Sequence, residues 1–454
     1  MIDAPRLRTA RGRWIVAATV LGSSLTMLDG TVVNIALPAI AADLDADVSG
    51  LQWTVTGYTL TLAAFVLLGG SLGDRHGRAR LFAVGTVWFT AASVACALAP
   101  SVDALVAARV TQGVGAALLT PGSLAILSAS LDPRDRGAAI GLWSGLGGVA
   151  AAVGPVLGGW LVDLAGWRSV FWINVPLGIV VLVVTARHVP ESRDPDATGR
   201  LDWVGATLVV AALAAVTMGA IDGNAVAVGL GLVGVGVFAA WQRRARRPLV
   251  SPALFSSRTF VGANVVTVAA YAAQGGVFFL LLLQLQTALG YDAITAGVAT
   301  LPITAAMLLL SSRTGALADR IGPRIPMTVG PVVAAAGLAL MTRIHPGAAY
   351  VGTVLPAVVV FGVGLSVLVA PLTAAAIGSV PSEHAGAASA VNNAVARTAQ
   401  LLAVAALPGL TGITGTLDAD TVGRGFTPAM WICAGLLLAA AAAAFVLVRP
   451  PARA

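Results

Sequence analysis

Lysine is missing from this 454-residue chain, whose 27 basic residues are all arginine. A phosphate-cradling G-x-x-x-x-G-K-[ST] loop needs its lysine to reach the phosphates. That ATP-binding motif is therefore absent, and a primary ATP-driven pump within this chain is not expected. Charge of either sign is also scarce. Only 10% of residues are charged and 57% are hydrophobic, with a mean hydropathy of +0.89. A soluble domain carries about a quarter charged residues. Cysteine is limited to Cys96 and Cys433, both inside apolar runs, which reads as two small buried residues and not as a disulfide or metal pair. The four histidines (His76, His188, His345, His384) lie far apart, each near a predicted loop, and point to no metal site. No nucleophile–histidine–acid set is visible, so neither an enzyme nor a bound cofactor is expected.

What remains is apolar sequence in long pieces. Runs near 20 residues, long enough to cross a hydrocarbon core, occur near 14–37, 52–73, 81–99, 104–128, 138–162, 170–187, 203–221, 225–241, 259–287, 295–317, 326–343, 350–376, 386–410 and 428–448. The fold class is all-α integral membrane, with fourteen spans and the lipid bilayer as solvent. The Arg-rich segment before the first run has no small-residue cleavage site after it, and it reads as the flank of an uncleaved first span.

Arginine placement sets the orientation, because Arg-rich loops stay in the cytoplasm. Arg6, Arg8, Arg11 and Arg13 precede the first span. Even-numbered connections hold Arg75, Arg78 and Arg80; Arg134 and Arg136; Arg187, Arg193 and Arg200; Arg243, Arg244, Arg246, Arg247 and Arg258; Arg320 and Arg324. Arg449 and Arg453 follow the last span. Odd-numbered connections hold only Arg168, Arg343 and Arg424, among Asp43, Asp45, Asp47, Asp103, Asp292, Asp418 and Asp420. The expectation is a multi-pass protein of the cell membrane with both termini cytoplasmic. The net charge of +7 sits in these loops, so nucleic acid is not expected as a partner.

The sequence also repeats itself. Gly70-x-Leu72-x-Asp74-Arg75-x-Gly77-Arg78 follows span two, and Gly315-x-Leu317-x-Asp319-Arg320-x-Gly322-x-Arg324 follows span ten. Gly137-Ala138-Ala139 and Gly386-Ala387-Ala388 open spans five and thirteen. Such parallel repeats are a transporter architecture. The division read from them is an N-terminal six-helix bundle over 1–187, linkers with two inserted transmembrane helices over 188–258, and a C-terminal six-helix bundle over 259–454.

The loop after span two resembles the signature between the second and third helices of the major facilitator superfamily. Further likeness lies in Asp29-Gly-Thr31-Val-Val-Asn34-Ile-Ala-Leu-Pro38, in Trp53 and Tyr58, and in Arg109-Val-Thr-Gln112-Gly113-Val-Gly115. Gly147 through Gly154-Pro155-x-x-Gly158-Gly159 and Trp167-Arg168-x-x-Phe171-x-x-Asn174-x-Pro176 extend it. With fourteen spans, the set resembles the drug:proton antiporter branch over essentially the whole chain. The resemblance implies proton-coupled export of lipophilic or amphipathic small molecules by alternating access. An exporter dedicated to one endogenous metabolite, such as an antibiotic or siderophore, stands as the alternative. Substrate and protons are the expected partners of a monomer.

Two elements have gating roles on this reading. Gly70, Asp74, Arg75, Gly77 and Arg78, with Asp319 and Arg320 in the repeat, form a latch favouring the outward-facing state; a plain topogenic loop is the competing explanation. Asp74 is expected at the N-terminal dipole of a neighbouring helix. Gly147, Ala151, Gly154 and Gly158 share one helix face, a smooth surface for close helix approach, and Pro155 can bend the span. The resemblance implies that this stretch seals the pathway between the halves; generic helix packing explains the same spacing.

Charges inside spans cost several kcal/mol unless paired or solvated. Asp29 lies roughly 14–21 Å below the outer surface and Arg109 roughly 9 Å or more, from the helical rise. They are the candidate proton-coupling pair, with a structural ion pair as the alternative. Gln112, one turn from Arg109, shares its face. Arg397 lies near mid-membrane in span thirteen, and either lines a polar cavity or ties helices together. No acid falls within spans nine to fourteen, which argues against avid binding of dications. Candidate cavity residues are Asn34, Trp53, Tyr58, Gln112, Asn264, Tyr271, Gln274, Asn392, Asn393 and Arg397.

Overall fold

The computed structural model describes residues 5–194, 202–245, 248–381 and 385–448. Arg200, Arg246, Arg247, His384, Arg449 and Arg453 lie outside them. The long helices are α1 (Ala10–Leu44), α2 (Val48–His76), α3 (Arg78–Ala97), α4 (Val102–Ser130), α5 (Arg136–Ala165), α6 (Ser169–His188), α7 (Trp203–Ile221) and α8 (Ala225–Arg244). They continue as α9 (Arg258–Thr287), α10 (Ala293–Ile321), α11 (Arg324–Met341), α12 (Tyr350–Gly378), α13 (Ala385–Leu410) and α14 (Ala419–Leu447). No strand occurs among the described residues. In a bilayer, helices satisfy every backbone polar group internally, which is why long apolar runs adopt them. Thirteen are long and apolar enough to cross a membrane. The fourteenth, α13, is as long but is diluted by Asn392, Asn393, Arg397 and Gln400.

The helices outrun the apolar runs. Expected over 14–37, α1 starts at Ala10, where Thr9 caps the Gly12 amide, and runs to Leu44, where Asp45 turns left-handed at φ 49°. An apolar run marks only the part in hydrocarbon, whereas caps mark the end of the helix. α6 is interrupted at Ile173, between Ser169–Trp172 and Asn174–His188. Pro176 has no amide to give the Trp172 carbonyl, and the interruption follows.

Helices α1–α6 pack on one another, as do α9–α14, giving two six-helix bundles. The inserted helices form a hairpin. α7 rests against α2 and α13 through Leu60, Leu213 and Leu401. α8 packs on α7 and exposes Val226, Leu230 and Val233 as an apolar outer face. Asp202 fastens the hairpin at its base, accepting from the Gly205 amide at 2.8 Å, Trp241 Nε1 at 2.8 Å and Gln242 Nε2 at 2.8 Å. Burial pushes the Asp202 carboxyl up, but the bonds from Trp241, the Gly205 amide and Gln242 outweigh it and hold the group below its usual range.

The bundles meet at the end of the molecule away from the Arg-rich loops. There Gln52 Nε2 donates to the carbonyls of Val404 and Ala405 at 2.9 and 2.8 Å, and Gln286 Nε2 to that of Ile35 at 3.1 Å. Asp163, closing α5, accepts from the first amides of α10, Ala293 at 3.3 Å and Ile294 at 2.8 Å. A Cβ at Gly159 would fall 2.4 Å from the Ala293 carbonyl oxygen, and one at Gly297 would fall 2.4 Å from that of Pro155. At the Arg-rich end no hydrogen bond or ion pair joins the bundles among the described residues. The space beside Gly137, Gly141, Gly145 and Gly386 is empty to 4 Å. Among the described residues, polar contacts tie the bundles shut at one end and leave them untied at the other.

This seam corrects the reading of the small-residue stripe on α5. Gly147 meets Met27, Gly154 meets Thr31, and Gly158 meets Val32 and Ile35, all on α1 of the same bundle. The contact with the other bundle is made by the adjacent face, through Pro155 and Gly159. Spacing identifies a smooth face without identifying the helix that fills it.

Candidate functional site

Asp29 on α1 and Arg109 on α4 are each 1% exposed, and their side chains meet with Arg109 Nη1 2.5 Å from Asp29 Oδ2. The same Nη1 reaches Gln112 Oε1 at 2.6 Å, and Arg109 Nε donates to the Thr54 carbonyl at 3.1 Å. Gln112 Nε2 donates to Asp29 Oδ1 at 3.0 Å and to Ser93 Oγ at 3.2 Å. Asn174 Nδ2 joins the same two acceptors at 3.2 and 2.9 Å. Ser93 Oγ donates in turn to the Phe171 carbonyl at 3.0 Å. The Arg109 guanidinium lies over the ring of Tyr58 at 4.3 Å and near that of Phe171 at 5.7 Å.

Local sequence explains the assembly. Arg109 and Gln112 are three residues apart and so share a face of α4. The break before Asn174, required by Pro176, lets α6 deliver that amide beside Asp29. Both carboxylate oxygens are bonded, and the cation has a carboxylate, an amide, a carbonyl and aromatic faces. A buried ion pair is tolerable only when its remaining hydrogen-bonding capacity is satisfied in this way. The arrangement can hold one negative charge in the membrane interior and release it when its partners move.

The family model described as Major Facilitator Superfamily matches residues 19–404. The chain is 35% identical to the puromycin resistance protein pur8 of Streptomyces alboniger over 96% of this chain and 91% of that protein. It is 34% identical to the tetracenomycin C resistance and export protein of Streptomyces glaucescens, over 94% and 80%. Its fold matches the crystal structure of a bacterial homologue of the human lysosomal transporter Spinster with TM-score 0.72 and 16% identity, covering 97% of each chain. The chain belongs to the Major Facilitator Superfamily. It is a membrane transporter and not an enzyme.

Within this major facilitator chain, the structure redistributes the cavity residues. Tyr58 and Gln112, expected along the cavity, are buried in the Asp29 cluster. Asn264 and Asn392 are buried too: Asn392 Nδ2 donates to Asn264 Oδ1 at 3.3 Å and Thr267 Oγ1 at 2.8 Å, tying α13 to α9. Trp53 lines a recess at the closed end with Asp47, Gly50 and Asp103, away from the middle of the bundles. Asn34 is half-buried and donates to its own helix at Gly30. Tyr271 and Gln274 are half-buried on α9, Asn393 is exposed on α13 and Arg397 is half-buried there.

Around the first repeat loop, Asp74 pairs with Arg78 at 2.8 Å on the same chain segment and, among the described residues, not with a neighbouring helix terminus. The N-terminus of α3 is taken by Glu191, which accepts from the Ala79 amide at 3.2 Å and the Arg80 amide at 3.1 Å. Gly77 adopts φ 113° with the Glu191 carboxyl where a Cβ would sit, so only glycine fits. Gly70 faces Pro121 with room to spare. Arg75, Asp319 and Arg320 form no ion pair among the described residues.

From sequence alone Asn174 and Phe171 have no assigned role, and Ser93 and Arg313 are not distinguished. Asn174 had a signal, an amide beside a proline inside an apolar run. Ser93 had none, since a serine there is ordinary. Arg313 is exposed on α10, about two turns from its Arg-rich end.

Proposed function

We propose that this facilitator is a proton-coupled antiporter of the cell membrane that exports lipophilic or amphipathic small molecules, with Asp29 carrying the proton. The division into 1–187, 188–258 and 259–454 gives two bundles that rock about the seam, with the inserted hairpin alongside, in a monomer whose termini are both cytoplasmic. On that orientation the Arg-rich open end faces the cytoplasm, and the described state receives substrate from inside. The single observation behind the coupling role is that, among the described residues, Asp29 is the one carboxylate buried deep in a span, held there by side chains from α4 and α6. Protonation would cancel the charge that attracts Arg109, so proton occupancy and helix arrangement are linked at this point. The names of the two Streptomyces relatives support resistance and export as the task. The tetracenomycin C exporter also favours a second reading, export of one endogenous product.

The test uses everted vesicles with an acidic interior and a pH-sensitive dye, challenged with lipophilic cations, neutral drugs and acids. Wild type should release protons on substrate addition and Asp29→Asn should not. Equal responses in both would remove Asp29 from the coupling role. Response to one compound among many would favour the dedicated exporter.

A further inference from the structure

The deep charges of the two bundles differ in whether the chain itself neutralises them. Arg109 meets Asp29. Arg397, about 18 Å along α13 from Ala385 and so near its middle, has no ion pair and no hydrogen bond among the described residues. Nor does its bundle contain a partner to find. Helices α9, α11, α12 and α13 have no carboxylate, while α10 has only Asp319 near one terminus and α14 only Asp420 in its first turn.

Arg397 is turned toward the space between the bundles. α13 packs on α2 of the other bundle as well as on α9, and Gly275 of α9 meets Gln400, so Tyr271, one turn before Gly275, lies level with Arg397. Leu401, one turn further along, packs on Leu60 of α2. Asn392 and Ala399, on another face, are buried, the former against α9. Asn393 precedes Arg397 by one turn, shares its face and is exposed. An unpaired guanidinium at this depth is tolerable only in contact with cavity water or a counter-charge.

We infer that the transported compound is an organic anion with an aromatic or otherwise apolar body, and that Arg397 selects it by pairing with its carboxylate or acidic phenol. The planar fork of arginine presents two parallel donors to a carboxylate. Asn393 supplies a further donor, and the Tyr271 ring a flat apolar surface with a polar edge. Asp29 is a poor partner for a cation in the same space, because Arg109 already neutralises it. This inference rests on the export reading and narrows it. It also has an electrical consequence: an anion leaving as one proton enters moves the equivalent of two positive charges inward, so an inside-negative potential drives the exchange.

The test measures binding to the purified full-length protein in detergent, by equilibrium dialysis, for 2-naphthoate, its methyl ester and 2-naphthylmethylammonium. Naphthoate should bind wild type roughly tenfold or more tightly than the ammonium compound, the scale of a charge-assisted pair. Arg397→Gln should erase that preference while ester affinity falls less. Arg397→Lys should retain part of it. Naphthoate bound no better than the ammonium compound, including no binding of any probe, overturns the inference, as does an unchanged preference in Arg397→Gln. If the glutamine variant does not elute as a folded species, Arg397→Lys decides: weakened naphthoate binding supports the inference, and unchanged binding overturns it. No proton gradient is involved, so proton exchange can fail in vesicles while the anion preference stands, and the reverse.

Discussion

The two bundles share an architecture and treat buried polarity in opposite ways. In α1–α6 the polar side chains close on themselves. Asp29, Arg109, Gln112, Asn174 and Ser93 use one another's donors and acceptors, and Tyr58 and Phe171 cover the cation. In α9–α14 the amides Asn264 and Asn392 pair off as helix ties, and Arg397 is left over. A closed network stores a charge until its partners move, whereas an open charge waits for something to arrive. On the proposed function, proton and substrate would have separate stations in two bundles that rock against each other, as coupling by alternating access requires.

The strongest way to break this comparison is to remove the two arginines in turn. Arg109→Leu strands the Asp29 carboxylate in a dry site and should cost about 3–5 kcal/mol, the usual effect of halving a buried pair. Thermal unfolding followed by fluorescence size-exclusion should show it, and Asp29→Leu added to Arg109→Leu should recover much of the loss. Arg397→Leu, read the same way, should cost no stability. A loss as large as that of Arg109→Leu would mean Arg397 has a hidden partner and the contrast is false.

A smaller effect is expected at the seam that both bundles share. Gly159→Leu drives a side chain into the Ala293 backbone, and overpacking of this kind costs about 1–3 kcal/mol in the closed-end state alone. The balance should shift toward the state open at that end by roughly tenfold or more. Labelling of a cysteine introduced at Asn34 by a membrane-impermeant thiol reagent, added outside intact cells, should report the shift. Gly435→Leu, where a Cβ would meet nothing within 4 Å, is the matched control.

The smallest effect sharpens the difference between amides. Asn392→Leu removes the tie to Asn264 and Thr267 and should lower stability by about 1 kcal/mol. Asn393→Leu, one residue on and exposed, should leave the melting temperature within error while weakening naphthoate binding. If the two behave alike, Asn393 is another tie and the open face of α13 is smaller than described.

Much of this was legible in the chain. A charge inside an apolar run is costly and therefore conspicuous, so Asp29, Arg109 and Arg397 stood out from sequence alone. Gln112 followed from helical spacing, although its neighbours assign it to the Asp29 cluster and not to the cavity. Asn174 and Ser93 were harder to see because amides and hydroxyls bond within their own helices at little cost, and so give no signal of a distant partner. Trp53, Tyr58, Asn264 and Asn392 were found as polar or aromatic residues in spans, and only their surroundings separate recess, cluster and helix tie.

By itself the sequence determined that the chain lives in a bilayer, in fourteen helices, with most of its arginines gathered at one end, because hydrocarbon admits only long apolar helices and makes charge costly. The tertiary structure alone decided which glycine faces meet which helix, which end of the seam is shut, and that one deep arginine is paired while the other is not. Those outcomes depend on approach between residues far apart in the chain, such as Gln52 and Ala405, 353 positions apart. Periodicity along one helix contains no information about its neighbour.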